Sequence, residues 1–285
     1  MKKKENNKIF SELIYGGHFQ CLSAVSIVYI TSVFLETPLS WQVLVVVYLI
    51  FYPIYLFDRY RGIKEDRSTN TKRTAHIKSY YKFIPFIIAG NVLILEALIY
   101  FYGNNFAILW SLLVIFLGFA YQDYFKKLTK RIFLFKNAFV ALFFSIVVLF
   151  YIFYHSLIRP DIYFQAYVIM GIVFLKVFFI QILFDIKDMS GDKKQGLLTL
   201  PVVIGKEKTI IALFVLNLLL TALLLFLSAV HIFYPAILGV ILSLPYTLFY
   251  LKKAKNRPVL SYNMAAFELV VWGAMVMLIT NLHLL

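Results

Sequence analysis

Apolar runs of about 17–24 residues recur along the whole 285-residue chain, and no other feature limits its fold so tightly. A bilayer core about 30 Å thick takes about 20 apolar residues in a helix, because backbone polar groups inside it must bond within their own segment. Nine runs meet this requirement, at about 18–35, 41–57, 81–102, 106–121, 133–154, 162–184, 208–228, 232–251 and 263–283. The expected fold is therefore all-α, a polytopic membrane protein with about nine transmembrane helices. Composition agrees: 62% of the residues are hydrophobic and 15% are charged. The 29 Phe and 20 Tyr suit helices anchored at lipid–water interfaces and packed into a bundle, and do not signal a cofactor. Cys21 is the single cysteine, which excludes an intramolecular disulfide and a thiolate metal cage.

The basic residues are confined to alternate connections. Of the 28 Lys and Arg, 26 lie in the N-terminal stretch and in the segments Arg59 to Lys82, Lys126 to Lys136, Lys187 to Lys208 and Lys252 to Arg257. Arg159 lies on the opposite side and Lys176 inside a span. The positive-inside rule then predicts a cytoplasmic N-terminus and an external C-terminus. The net charge of +14 describes one membrane face. Short basic loops at that surface suit anionic headgroups or an anionic substrate, and no nucleic-acid partner is expected. The first apolar run lacks a cleavage site of small residues, so no cleavable signal peptide is expected. No segment between spans is long enough for a soluble domain, and residues 1–285 are expected to form a single transmembrane domain.

Two of these loops carry acids as well as bases. The segment FDIKDMSGDKKQGLLTLPVVIG, from Phe184 to Gly205, contains Asp185, Asp188 and Asp192. If the preceding helix continues through them, offsets of three and seven put all three carboxylates on one face, with Gln181 one turn before. Such a face can hold Mg²⁺, which takes one or two carboxylates and completes its shell with water and phosphate oxygens. The competing reading is a solvated charged loop. The earlier segment, DRYRGIKEDRSTNTKRTAHIK, holds Asp58 and Asp66 eight residues apart, with Gly62 between them and Glu65 beside the second. Acids at both loops could face each other across a cavity mouth.

Together the two segments resemble the UbiA superfamily of intramembrane prenyltransferases, over nearly the whole chain. Asp185, Asp188, Gly191, Asp192, Gly196, Thr199, Leu200, Pro201 and Gly205 are similar to the family pattern D-x-x-D-x-x-G-D-x-x-x-G-x-x-T-L-P-x-x-x-G. The first segment departs from the usual N-x-x-x-D-x-x-x-D. It reads Asp58, Gly62, Asp66, with an acid where Asn is usual and no middle carboxylate, while Arg73 fits the basic position that follows. In YQDYFKKLTKRIFLFKNAF, Tyr121, Lys127 and Lys136 resemble the family's tyrosine and basic residues near the diphosphate.

The resemblance implies nine helices around a central cavity and transfer of a prenyl group from an isoprenyl diphosphate to a lipophilic acceptor, an aromatic one included. It implies Mg²⁺ and diphosphate binding by Asp58, Asp66, Asp185, Asp188 and Asp192, with Arg73, Tyr121, Lys127, Lys136 and Lys194 on the diphosphate. One of Asp185, Asp188 and Asp192 is expected to activate the acceptor, without indication of which. The alternative within the superfamily is a terpene cyclase that needs no acceptor. A transporter using Glu96, Lys176 and Glu268 is the reading from a different class; no repeat between halves supports it. Those three residues, with Asn91 and Asn137, could line a cavity or bond between helices. His18 and His76 lack a partner acid at a recognisable spacing and are left outside the expected site.

Overall fold

The computed structural model describes residues 11–64, 67, 70–157, 159–234 and 236–283, and every regular element among them is helical. The chain forms two compact units, Met1–Val25 with Ser40–Lys126 and Ser26–Leu39 with Lys127–Leu285. Helix α1 (His18–Phe34) contributes residues to both.

In the first unit, α2 (Trp41–Arg61) is followed by the short α3 (Thr71–Lys78), then α4 (Ile84–Tyr102) and α5 (Asn105–Asp123), and α2 packs against both α4 and α5. Asn104 starts α5 by accepting a 2.9 Å hydrogen bond from the Ala107 amide, one of the donors a helix start leaves without a partner. In α4, Ile84, Asn91, Leu95 and Ile99 are buried, whereas Phe86, Leu93 and Tyr100, spaced by seven, are 76%, 72% and 74% exposed. An apolar stripe of that size on a span-length helix faces lipid. Leu56, Ile77 and Ile84 form a small core, supported by Tyr60 stacked on Tyr81 at 4.5 Å, and it holds α3 against α2 and α4.

The second unit continues with α6 (Phe135–Ser145), α7 (Val147–Tyr154), α8 (Pro160–Gln195), α9 (Leu200–Ile204) and α10 (Lys206–Ala229). It ends with α11 (Ala236–Leu242), α12 (Leu244–Ala254), α13 (Pro258–Ala266) and α14 (Glu268–His283). Helices α6, α9, α10 and α13 all pack on α8. The 36 residues of α8 run about 54 Å at 1.5 Å per residue, well beyond a hydrocarbon core of about 30 Å, so the helix projects from the membrane. It stops at Gly196, whose φ of 69° is costly for residues with a Cβ. The Gly196 amide donates to the Lys193 carbonyl and that of Leu197 to the Asp192 carbonyl, capping the helix end. Further on, α11 crosses α14 so closely that a Cβ on Gly239 would lie 2.6 Å from the Val276 backbone.

Seven segments among the described residues are long and apolar enough to cross a membrane. The pair α13 and α14, bent by 45°, makes an eighth, and the 17-residue α1 is a further, shorter apolar helix. These coincide with the nine expected runs. Two differences are informative: α8 continues unbroken past the expected end near 184, and the last run is bent beside Glu268, whose buried carboxylate is bonded to Lys176, Thr247 and Tyr250.

Candidate active site

Because α8 is continuous to Gln195, Asp185, Asp188 and Asp192 do share a helical face. Their environments differ sharply. Asp185 is fully buried: Lys136 Nζ donates to its Oδ1 at 2.7 Å and Asn137 Nδ2 to its Oδ2 at 2.7 Å. The same Lys136 ammonium is 3.8 Å from Asp192 Oδ2, so it stands between the first and last carboxylates of the row. The Asp188 side chain is 28% exposed and its Oδ1 is 3.5 Å from Lys187 Nζ. Lys187 in turn lies 3.8 Å from the centre of the Tyr262 ring, which packs 4.3 Å from Phe184.

Backbone pairing delivers Lys136 and Asn137 to this face. They occupy the first turn of α6, immediately after Leu134, which adopts φ 59°. The Leu134 amide donates to the Leu198 carbonyl at 3.1 Å, and the Leu198 amide donates to the Thr129 carbonyl at 2.9 Å. The link that follows α8 is thereby paired with the segment that precedes α6. The Gly196 cap is what turns the chain into this link, so that part of the acidic motif does architectural work rather than chemistry.

Two oxygens in the row remain suited to a cation. Asp188 Oδ1 and Asp192 Oδ2 are buried and accept no hydrogen bond. Buried carboxylate oxygens without donors are costly unless something else compensates them. Among the described residues, no three His, Cys, Asp or Glu side chains gather into a metal-binding set. Two carboxylates, with water and ligand oxygens completing the shell, are the donor set that Mg²⁺ favours, so these residues fit that ion.

The other expected site residues are placed unit by unit. Lys127 and Lys194 are exposed and form no ion pair with Asp185, Asp188 or Asp192. In the first unit, Asp58 near the end of α2, Arg73 in α3 and Tyr121 in α5 are half-buried. The buried Gly62 ends α2 by donating its amide to the Asp58 carbonyl at 2.8 Å. Asp66 and Glu65 lie outside the described residues.

The histidines set aside for want of an acid do have one. Glu12 Oε2 is 2.6 Å from His76 Nε2, and Glu12 Oε1 is 3.2 Å from His18 Nε2 and accepts from Tyr80 at 3.4 Å. The second nitrogen of His18 bonds to Tyr48. Partial burial raises the Glu12 pKa, but the bonds and charges of the two histidines outweigh it and hold the carboxyl at about 2. Nothing in the spacing of residues 12, 18 and 76 reveals this cluster. Lys136 was expected near the diphosphate by resemblance and Asn137 as a residue lining a cavity or bonding between helices, whereas Tyr262 beside Lys187 carried no sequence signal. The intramembrane acids are bonded as well: Ser111 donates to Glu96 at 2.9 Å, and Lys176 pairs with Glu268.

The model of the UbiA prenyltransferase family matches residues 83–271 of this chain. Among solved structures, the apo structure of a UbiA homolog from Aeropyrum pernix K1 aligns over 92% of this chain and 98% of that one, at 15% identity and a TM-score of 0.73. A UbiA homolog from Archaeoglobus fulgidus bound to DMAPP and Mg²⁺ aligns over 93% and 99%, at 14% identity and a TM-score of 0.60. A structure concerned with digeranylgeranylglyceryl phosphate synthase in membranes aligns over 94% and 99%, at 16% identity and a TM-score of 0.54. No curated protein sequence matches the chain. At these identities the likeness establishes a shared fold, that of a multi-pass integral membrane protein, and does not by itself carry a substrate.

Proposed function

We propose, on the premise that this chain belongs to the UbiA prenyltransferase family, that it transfers a prenyl group from an isoprenyl diphosphate to a lipophilic acceptor in the membrane, with Mg²⁺. The observation that carries this reading is the juxtaposition on α8 of buried carboxylate oxygens lacking donors, on Asp188 and Asp192, with the Lys136 ammonium. Carboxylates so placed attract a hard dication, and an ammonium beside them attracts phosphate oxygens, which together suit a diphosphate leaving group. When bound, Mg²⁺ would supply the charge neutralisation that lets an allylic carbon–oxygen bond ionise.

The remaining roles are those that the family resemblance implies. Asp58 and Asp66 are assigned, by resemblance, to Mg²⁺ and diphosphate binding. Arg73, Tyr121, Lys127, Lys136 and Lys194 are assigned to its oxygens, the cations by charge and Tyr121 by its hydroxyl. One acid of the α8 row activates the acceptor. The hydrocarbon tail belongs among apolar helices, where excluded water cannot quench an allylic cation and aromatic faces stabilise it.

Gly62 favours a second reading. With no carboxylate midway between Asp58 and Asp66, the first acidic segment is poorer in metal ligands than the usual family pattern, and some of the superfamily's terpene cyclases resemble it in having a small residue there. Purified protein in detergent, given Mg²⁺ and prenyl diphosphates of several lengths with and without a quinone precursor or other lipophilic acceptor, separates the two. Diphosphate release that depends on the acceptor, with a prenylated product, is expected. A cyclic product at catalytic turnover without acceptor would establish the cyclase, and absence of turnover under every condition would overturn both.

A further inference from the structure

The three acids of α8 are read most simply as equivalent metal ligands, but their surroundings are not equivalent. Asp185 has no exposed surface and both its oxygens are occupied, by Lys136 and by Asn137. A cation approaching it would displace one of two short hydrogen bonds. Displacing Lys136 would also separate an ammonium from the carboxylate that compensates it, a costly change in a largely desolvated place. Asp188 and Asp192 differ: each has a buried oxygen that accepts no hydrogen bond, its nearest ammonium standing off at 3.5 Å (Lys187) and 3.8 Å (Lys136).

We infer that Asp185 is a positioning residue and not a metal ligand. With Asn137, it fixes the Lys136 ammonium beside Asp192, where that ammonium meets the diphosphate, while Asp188 and Asp192 hold the metal. The donors come from consecutive residues in the first turn of α6, so one buried carboxylate also secures α6 to α8 at the level of the row. The placement has an electrostatic logic. Three carboxylates within two helical turns repel one another, and a fixed ammonium between the first and the last offsets that repulsion before any ligand arrives.

This inference rests on the reading of the α8 row as the diphosphate site, and the test is arranged to distinguish the two. Two ligands are measured separately on the full-length protein in detergent. Mn²⁺ is followed by electron paramagnetic resonance, and a non-ionising prenyl thiolodiphosphate by calorimetry. In the Asp185→Asn variant, Mn²⁺ binding should stay within about threefold of the parent, while the thiolodiphosphate weakens about tenfold or more, as expected for a lost charge-assisted clamp. Lys136→Gln should reproduce that pattern, and the double variant should be no weaker than Lys136→Gln alone. Asp188→Asn and Asp192→Asn should lose Mn²⁺. Loss of Mn²⁺ in Asp185→Asn to the extent seen in Asp188→Asn overturns the inference and leaves the diphosphate site standing, as does unchanged binding of both ligands. If the parent binds neither ligand, the site reading fails and the inference with it. Should Asp185→Asn not fold, Lys136→Gln decides alone: weakened thiolodiphosphate with Mn²⁺ retained supports the clamp, and any other pattern overturns it.

Discussion

Lys176 Nζ lies 2.5 Å from Glu268 Oε1, and neither side chain has any exposed surface. Thr247 and Tyr250 donate to the same carboxylate, Lys176 also bonds to Thr247 at 3.0 Å, and its ammonium lies 4.7 Å from the Phe179 ring. Every charge in this cluster is compensated locally. That favours a bond between α8, α12 and α14 over a path for ions, and it removes the main motive for the transporter reading.

Breaking the pair should therefore be costly and abolishing it much less so. Lys176→Met or Glu268→Gln alone should lower stability by about 3–5 kcal/mol, because an uncompensated charge is left buried. The double variant should recover most of that loss. Unfolding in detergent measures both, and equal destabilisation by single and double variants would contradict the account.

Removal of the oxygens that accept nothing should abolish chemistry more than folding. Asp188→Ala and Asp192→Ala are expected to lower Mg²⁺-dependent turnover about a hundredfold or more. Thermal stability should change less than activity, since Asp188 is partly exposed and the two oxygens accept no hydrogen bond, with only long ion-pair contacts to Lys187 and Lys136. Near-normal activity in the double variant would remove the site from α8.

The Glu12 cluster gives a pH signature. Its carboxyl is held at about 2 in the folded protein against an ordinary value of 4.5. A depressed folded pKa means that the stabilisation is complete above 4.5 and fades as the pH falls towards about 2. The melting-temperature difference between the parent and Glu12→Gln should accordingly shrink as the pH falls below 4.5. A difference that grows on acidification would contradict the assignment.

Orientation is testable by reporter fusions. With the basic connections cytoplasmic, a fusion in the segment Lys252 to Arg257 should report the cytoplasm and one after Leu285 the outside. Matching reports from both positions would mean that the last run does not cross.

What could be read from the chain by itself was whatever local rules dictate. The nine apolar runs follow from the match of helix rise to bilayer thickness, and the shared face of Asp185, Asp188 and Asp192 from the 3.6-residue period of the helix. The helix end at Gly196 was not read from the sequence, where that glycine entered only as part of the family pattern. Asp66 was named by the family resemblance and lies outside the described residues. Which partner each charge finds is a different kind of fact. Asp185 is bonded by residues 48 and 49 positions earlier, Lys176 by a glutamate on the last helix, and two histidines by Glu12 near the start of the chain. No periodicity encodes these pairings, because they depend on how helices pack and where loops pair. Tertiary structure alone therefore divided three similar aspartates into one with both oxygens hydrogen-bonded and two with an oxygen that accepts no hydrogen bond.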